Sequence, residues 1–472
     1  MPEYLGIDAS TQSITGLIID TDAGTIATET SINFDEYFAE KYGIENGVID
    51  IGDGVVHSYP IMWVEALELL LRKLRDEGHE LSDISAVSGS GQQHGTVYLN
   101  DSASVALANL SADRDLHGQL TGIFSRHTAP VWMDSSTGLQ CREIEAAVGG
   151  RDALLKLTGN PAFERFSGPQ IRKFSQQEPD AYADTASIAL VSSFIASVLA
   201  GRLAPVDAGD GSGTNLMDIR SRQWSTKAQD ATAPGLAHRM APVTALGQPV
   251  GSIHRYFVQR HGFSGDCLVV PFSGDNPCSL IGLGLVEPGQ VALSLGTSDT
   301  LFACMGEPPI SSEGEACVFS SADDRQYLAL ICFMNGSLAR EAVRDRHDLD
   351  WHGFTKVLRN TRPGNDGRLM LPYFRPEIAP QVAAGVIRQG LDEADTAGNV
   401  RAVIEAQAMS SYIHSRWMGV DITSLHVTGG GSTNEEILRV FANVHGCSVY
   451  RSATSNAAAL GAALRAFHGH QP

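Results

Sequence analysis

The chain has 472 residues, 43% of them hydrophobic, with 48 glycines and a formal net charge of −20. That length exceeds one ordinary domain, so two are expected, and the composition is that of a folded, enzyme-like chain. So acidic a field excludes a nucleic-acid partner, because no basic face would dominate it.

Tyr4 to Asp8 is a short apolar strand entered at once, which leaves no room for a signal peptide. Ala9-Ser-Thr-Gln-Ser13 is a polar turn; Ile14 to Asp20 and Gly24 to Ser31 are further strands. Asp8, at the end of the first strand, suits Mg²⁺, directly or through water, or else caps the turn. Tyr59 to Glu77 is a helix, because Ile61, Val64, Leu67, Leu70 and Leu71 repeat at helical spacing. A strand from Ile84 leads into Ser88-Gly-Ser-Gly-Gln-Gln-His-Gly95, where flanking glycines let the backbone expose Gln92, Gln93 and His94 at a strand end. Two amides and a neutral imidazole donate to and accept from sugar hydroxyls; a lone loop histidine is otherwise structural.

Residues 101–128 carry no assignable chemistry. In Pro130-Val-Trp-Met-Asp-Ser-Ser136, either Trp132 packs on a sugar face with Asp134 bonding hydroxyls, or the pair is a core tryptophan and a helix cap. Arg165, between Phe163 and Phe166, is either a substrate clamp or a salt-bridge partner. Helices follow around Ser167–Glu178 and Val191–Leu199, then a Gly/Asp-rich loop from Asp207 to Asn215. Residues 205–250 give no functional signal.

The stretch from Val270 to Phe302 organises the rest. An apolar strand, Cys267 to Phe272, ends at Ser273-Gly274, where glycine permits a sharp turn. Asp275 and Asn276 precede Pro277, which suits the first turn of a helix. The positive end of a helix dipole favours an ionised carboxylate, so Asp275 is either a proton acceptor near neutral pH or, with Asn276, a plain cap. Strand Val291 to Leu295, turn Gly296-Thr297-Ser298 and strand Thr300 to Cys304 repeat the N-terminal strand–turn–strand unit, which points to an internal duplication. The turn is either a concavity for phosphate oxygens or an ordinary hairpin loop.

Beyond it lie strands Cys317 to Ser320 and Tyr327 to Cys332, and Asn335-Gly336 opening a helix, Ser337 to Arg344. Trp351 is either core or a contact on the nucleobase side. A long helix, Val400 to Met418, precedes strand Leu425-His-Val-Thr, then Gly429-Gly-Gly-Ser-Thr-Asn434 opening helix Glu435 to Val444. Glycines there permit close approach of an adenosine or phosphate group. The alanine-rich helix Ala457 to Phe467 is suited to lie close against a sheet. Seven scattered cysteines (Cys141, Cys267, Cys278, Cys304, Cys317, Cys332, Cys447) lack zinc or CxxC spacing and read as reduced thiols of a cytoplasmic protein. No apolar run reaches membrane-spanning length.

Taken as an ordered set, these stretches resemble the FGGY carbohydrate kinases of the sugar kinase/actin-like ATPase superfamily, and within them the eukaryotic-type xylulose kinase branch. The resemblance runs from Tyr4 to about Gly469 and rests on the segments at 88–95, 130–136, 164–166, 273–276, 294–300 and 332–337. It implies an α/β protein of two ribonuclease H-like domains with an active-site cleft between them: residues 1–286 for sugar, 287–472 for ATP. It implies transfer of the ATP γ-phosphoryl group to the 5-hydroxyl of D-xylulose, with ATP and Mg²⁺ required. By position, Asp275 is then the catalytic base, and Gln93, His94, Arg165, Asp275 and Asn276 meet the ketose. Asp8 resembles the family's phosphate and Mg²⁺ acid, with Thr11 and Gln12 beside it. Gly296, Thr297 and Ser298 form the second phosphate loop, and Trp351, Gly429, Gly430 and Asn434 face the adenosine.

Gln93-His94 stands where a glycerol kinase would carry Arg-Glu, which argues against glycerol. D-Ribulose, L-xylulose or a related polyol stays open, as does the oligomeric state. A non-catalytic sugar sensor is opposed by Asp275, and an ATPase without a sugar site by His94, Arg165 and Asn276.

Overall fold

The computed structural model of the chain describes residues 2–244, 248–309, 315–323, 325–452 and 456–471. It divides into two compact units. The first comprises Met1–Gly282, Phe319–Arg325 and Asn456–Pro472; the second comprises Leu283–Val318 and Gln326–Ser455.

The first unit is built on a mixed sheet. β1 (Glu3–Ala9), β2 (Ser13–Asp20) and β3 (Thr25–Asn33) run antiparallel in turn, while β4 (Ile84–Gly91) lies parallel to β1. Two short strands, β5 (Leu268–Val269) and β6 (Ser273–Gly274), add parallel to β4. β1 alternates between two covered faces, as a period of two requires. Leu5 and Ile7 pack with Ile14 and Ile18 in the core under α1 (Pro60–Asp76), whose apolar face includes Val64, Leu67, Leu70 and Leu71. Proline at the first turn starts α1 without losing a needed N–H. Tyr4 faces the other way, into a cluster with Ala459, Ala463 and Ala466 of the C-terminal helix. A Cβ at Gly6 would stand 2.1 Å from the Ala459 carbonyl oxygen, so backbone meets backbone there. The C-terminal helix thus packs within the first unit, whereas the sequence assigned all of 287–472 to the second domain.

The second unit repeats the plan. β7 (Gln290–Leu295), β8 (Asp299–Met305) and β9 (Tyr327–Phe333) are antiparallel neighbours; β10 (Ser424–Thr428) runs parallel to β7, and β11 (Ser448–Arg451) parallel to β10. Three antiparallel strands followed by parallel ones, in the same spatial order in both units, bear out the duplication read from the strand–turn–strand repeat and are the ribonuclease H-like arrangement that the family resemblance implies. Among the described residues no helix is long and apolar enough to cross a membrane, and Cys141, Cys267, Cys278 and Cys447 are free thiols.

Candidate active site

In the first unit, Asp275 is the first residue of α3 (Asp275–Gly282), directly after β6. Its Oδ1 accepts the Asn276 backbone N–H at 2.8 Å and Asn276 Nδ2 at 3.1 Å. Asn276 Nδ2 also donates to Gln93 Oε1 at 2.8 Å, which couples Asp275 to the loop after β4. Both of these donors reach the same oxygen, Oδ1. Burial, and next the negative charge of Asp8, push Asp275 up to about 7. The helix N-terminus was expected to favour ionisation, but desolvation by surrounding protein outweighs it. The residue as a whole is half-buried. Asp8, at the end of β1, accepts Ser90 Oγ at 2.7 Å, and burial pushes it up to about 6. Two mutually repelling carboxylates poised near neutrality are suited to take up a proton.

Gln92, Gln93 and His94 are 1%, 2% and 6% exposed, not displayed as the flanking glycines suggested. The reason is the segment after Asp207. Gly213 O contacts His94 Nδ1 at 2.6 Å, and Gly209 O accepts Gln93 Nε2 at 3.5 Å. A carbonyl at 2.6 Å requires the proton on Nδ1, which makes Nε2 an acceptor. Burial, and then the Arg165 charge, lower His94 to about 3, so the ring is neutral. It stacks on Phe166 with centroids 4.2 Å apart. Arg165 spreads over Phe163 and Phe166, 4.9 and 5.6 Å from the ring centres. The loop from Asp207 to Asn215, to which sequence gave no function, is therefore what fixes the site's polar side chains; its density of glycines was the available signal. Gly274 ends β6 where the chain turns into α3, as expected, and a Cβ there would also lie 2.5 Å from Gln93 Cγ.

Asp134 is turned into the protein. It is 1% exposed and its oxygens accept the Val56 N–H at 3.1 Å, the Ser136 N–H at 3.0 Å and Gln170 Nε2 at 2.7 Å. Neither is it a helix cap, since the next helix starts at Gly138 with Thr137 before it. Trp132 is 48% exposed and not core; its Nε1 donates to Thr11 Oγ1 at 2.8 Å. Gln12 is exposed on the same turn.

In the second unit a cavity of about 630 Å³ is lined by Trp351, Gly430 and Asn434 together with Ser337, Arg340 and Thr355. That volume lies in the range of small-molecule sites. Trp351 begins α5 (Trp351–Arg359), is 41% exposed and carries the Arg344 guanidinium 4.6 Å above its ring, so it is not core. Asn434 caps α7 (Glu435–His445; α6 is Thr396–Ser415): its Oδ1 accepts the Glu436 N–H at 3.1 Å and its Nδ2 reaches Thr355 Oγ1 at 2.8 Å. Gly429 adopts φ 81°, and a Cβ there would meet the Leu295 carbonyl oxygen at 2.7 Å, which places the glycine loop against the end of β7. Gly296, Thr297 and Ser298 form the bend between β7 and β8, with Thr297 exposed. A separate apolar cavity of about 320 Å³, walled by residues such as Met370, Met409 and Phe441, offers no phosphate-binding cation.

Residues 127–282 match the N-terminal domain of the FGGY family of carbohydrate kinases, and residues 291–470 its C-terminal domain. A xylulose kinase of Rattus norvegicus is 44% identical over 98% of this chain and 88% of its own length. Xylulose kinase 2 of Arabidopsis thaliana is 42% identical over 99% of this chain and 87% of its own. Among solved structures, a xylulose kinase from Rhodospirillum rubrum superposes with a TM-score of 0.83 at 19% identity, covering 99% of this chain and 90% of that one, a likeness of fold.

Proposed function

This chain belongs to the FGGY family of carbohydrate kinases, and from that premise we propose that it transfers the γ-phosphoryl group of ATP to the 5-hydroxyl of D-xylulose, giving D-xylulose 5-phosphate and ADP. The observation that carries the chemistry is Asp275, its pKa pushed up to about 7 by burial and then by the charge of Asp8, with Oδ1 oriented by the Asn276 N–H and Nδ2. The sugar identity is supported by relatives at 42–44% identity that bear the name xylulose kinase. Asn276, Gln93, His94 and Arg165 supply a neutral acceptor, two amides and a cation, a set that matches a polyhydroxylated ketose.

In this reading the carboxylate of Asp275 takes the hydroxyl proton as the sugar oxygen bonds to the γ-phosphorus and the bond to the ADP oxygen breaks. Phosphoryl transfer asks the protein mainly for positioning and charge neutralisation. Residues 1–286 would serve the sugar, and 287–472, apart from the helix that packs on the first unit, the nucleotide. Trp351, Gly429, Gly430 and Asn434 would border the adenosine, and Gly296 to Ser298 the phosphates, opposite Asp8, Thr11 and Gln12 in function. Among the described residues no cluster of three His, Cys, Asp or Glu side chains could hold a metal alone. Asp8, with one oxygen on Ser90, suits a Mg²⁺ that keeps its waters and rides on phosphate; bound there, it would neutralise phosphate charge. The free thiols of Cys141, Cys267, Cys278 and Cys447 fit a cytoplasmic setting.

The test is ADP release with Mg-ATP over D-xylulose, L-xylulose, D-ribulose, L-ribulose, glycerol and no sugar. Strong stimulation by D-xylulose alone is expected. Preference for another ketose would overturn the substrate, and indifference to every sugar would overturn the kinase assignment.

A further inference from the structure

The C-terminal side of the phosphate turn is tied to a cation that nothing in the proposed reaction uses. Arg340, on α4 (Ser337–Arg346), is 1% exposed. Its Nη1 donates to Asp299 Oδ2 at 2.9 Å and Gln407 Oε1 at 3.1 Å; its Nη2 donates to Asp299 Oδ1 at 2.8 Å, Gly296 O at 3.2 Å and Ser337 Oγ at 3.2 Å. Gly296 opens the three-residue turn and Asp299 follows it, so one guanidinium holds both ends. The Ser337 N–H adds a second bond to Gly296 O at 2.9 Å. Gln407, on α6, is itself held: its Nε2 donates to Asn335 O at 2.7 Å and Gly336 O at 2.8 Å.

Stability alone does not account for this arrangement, since a buried ion pair is often replaced by apolar side chains at no cost. Geometry supplies a reason. In a planar trans peptide the carbonyl and the next N–H point in opposite directions. Drawing the Gly296 carbonyl toward α4 therefore turns the Thr297 N–H outward, on the exposed side of the bend.

We propose that Arg340 is a positioning residue for phosphoryl transfer, fixing the Gly296–Ser298 turn so that its outward N–H groups meet the nucleotide's phosphate oxygens. The proposal rests on the reading of that turn as phosphate-binding. Arg340 borders the 630 Å³ cavity, but both of its terminal nitrogens are engaged inside the protein, so it acts through the turn.

The experiment uses the full chain with ATP and D-xylulose. Arg340→Lys puts one point charge where a fork spans Asp299 and Gly296. Displacing reacting groups by about 1 Å costs on the order of 10²-fold in rate, so kcat should fall about 10- to 100-fold. The KM for D-xylulose should stay within about twofold and that for ATP should change less than kcat. Arg340→Gln, Asp299→Asn and their combination should lose the same amount, because they break one unit. Folding is followed by thermal unfolding. Should the single variants fail to fold, the apolar pair Arg340→Met with Asp299→Leu keeps the core filled, and the same loss of kcat is expected. A folded variant with kcat within about threefold of the parent overturns the proposal, as does failure of every variant to fold, which would make the pair purely structural. Thr297→Asp separates this from the reading beneath it, by setting a like charge beside the phosphates. Loss in Thr297→Asp with a parent-like Arg340→Lys refutes the clamp alone; parent-like activity in both refutes the phosphate turn.

Discussion

Replacing Asp275 by asparagine keeps the shape of the site and removes its proton acceptor. A general base contributes on the order of 10²–10⁴-fold, and that loss in kcat is expected, with ATP binding near normal. The pH profile tests the same group in the unmodified protein. With Asp275 pushed up to about 7, roughly half of the free enzyme carries the ionised base at pH 7, and about a tenth at pH 6. kcat/KM should therefore rise about tenfold per pH unit below neutrality and level off above it. Stability runs the other way. The folded pKa lies above the unfolded value of roughly 3.9, so between the two the folded chain binds more protons and loses stability as pH rises, until the loss is complete above about 7. Asp275→Asn escapes that loss. It should unfold at a higher temperature than the parent at pH 8, by a margin that shrinks toward pH 5. A profile flat from pH 5.5 to 8, or an asparagine variant of ordinary turnover, would refute the assignment of the base.

Asp8→Asn removes the like charge that raises Asp275, so the acid limb of kcat/KM should move to lower pH; an unmoved limb means the two carboxylates do not interact. Trp351→Ala strips an exposed wall from the cavity proposed for the nucleotide, and the KM for ATP should rise about 5- to 10-fold, the order of a lost aromatic contact, with the KM for D-xylulose unchanged. His94 sits at φ 75°, a region asparagine tolerates and β-branched residues do not. His94→Asn should therefore fold and raise the sugar KM, whereas His94→Val should fail in thermal stability as well. Gly461→Ala would place a Cβ 1.9 Å from the Cys278 carbonyl oxygen; a cost of about 1–3 kcal/mol is expected by thermal unfolding, with lower kcat in the folded fraction.

Much of the fold was legible because its signals are local. Short apolar runs at β1 and again at β7, each ending in a short hydroxyl-rich turn, gave away the duplicated sheets. The helical spacing of Val64, Leu67, Leu70 and Leu71 predicted the α1 face that is buried. Charge balance and burial are not local. Nothing beside Asp275 in sequence shows that Asp8, brought in by a parallel strand pairing, adds its charge to the desolvation. Asp134 looked like a hydroxyl-binding acid because its donors, Val56 and Gln170, lie far away in the chain. The exposed loop at Gln93-His94 was misread for the same reason, since its cover arrives from Gly209 and Gly213.

The C-terminal helix, α8 (Ala457–His470), carries that argument furthest. Its alanines marked it as a close-packing helix, but not what it packs against. Gly461 and Gly282 let the backbones of α8 and α3 touch, and α3 begins with Asp275. From the same helix, Arg465, 1% exposed, donates to Asp207 Oδ2 at 2.8 Å. Asp207 in turn accepts Ser273 Oγ and, at 2.9 Å, the Gly209 N–H. One residue separates Ser273 from Asp275, and Gly209 O holds Gln93. The last helix therefore braces the base through its own backbone on one side and through a buried ion pair on the other. A fixed base needs such bracing, because burial that lifts its pKa also makes its ionised form a liability that a looser site would relieve by moving it toward water. The chemistry near the middle of the chain thus depends on residues almost two hundred positions later, a dependence that folding alone brings into view.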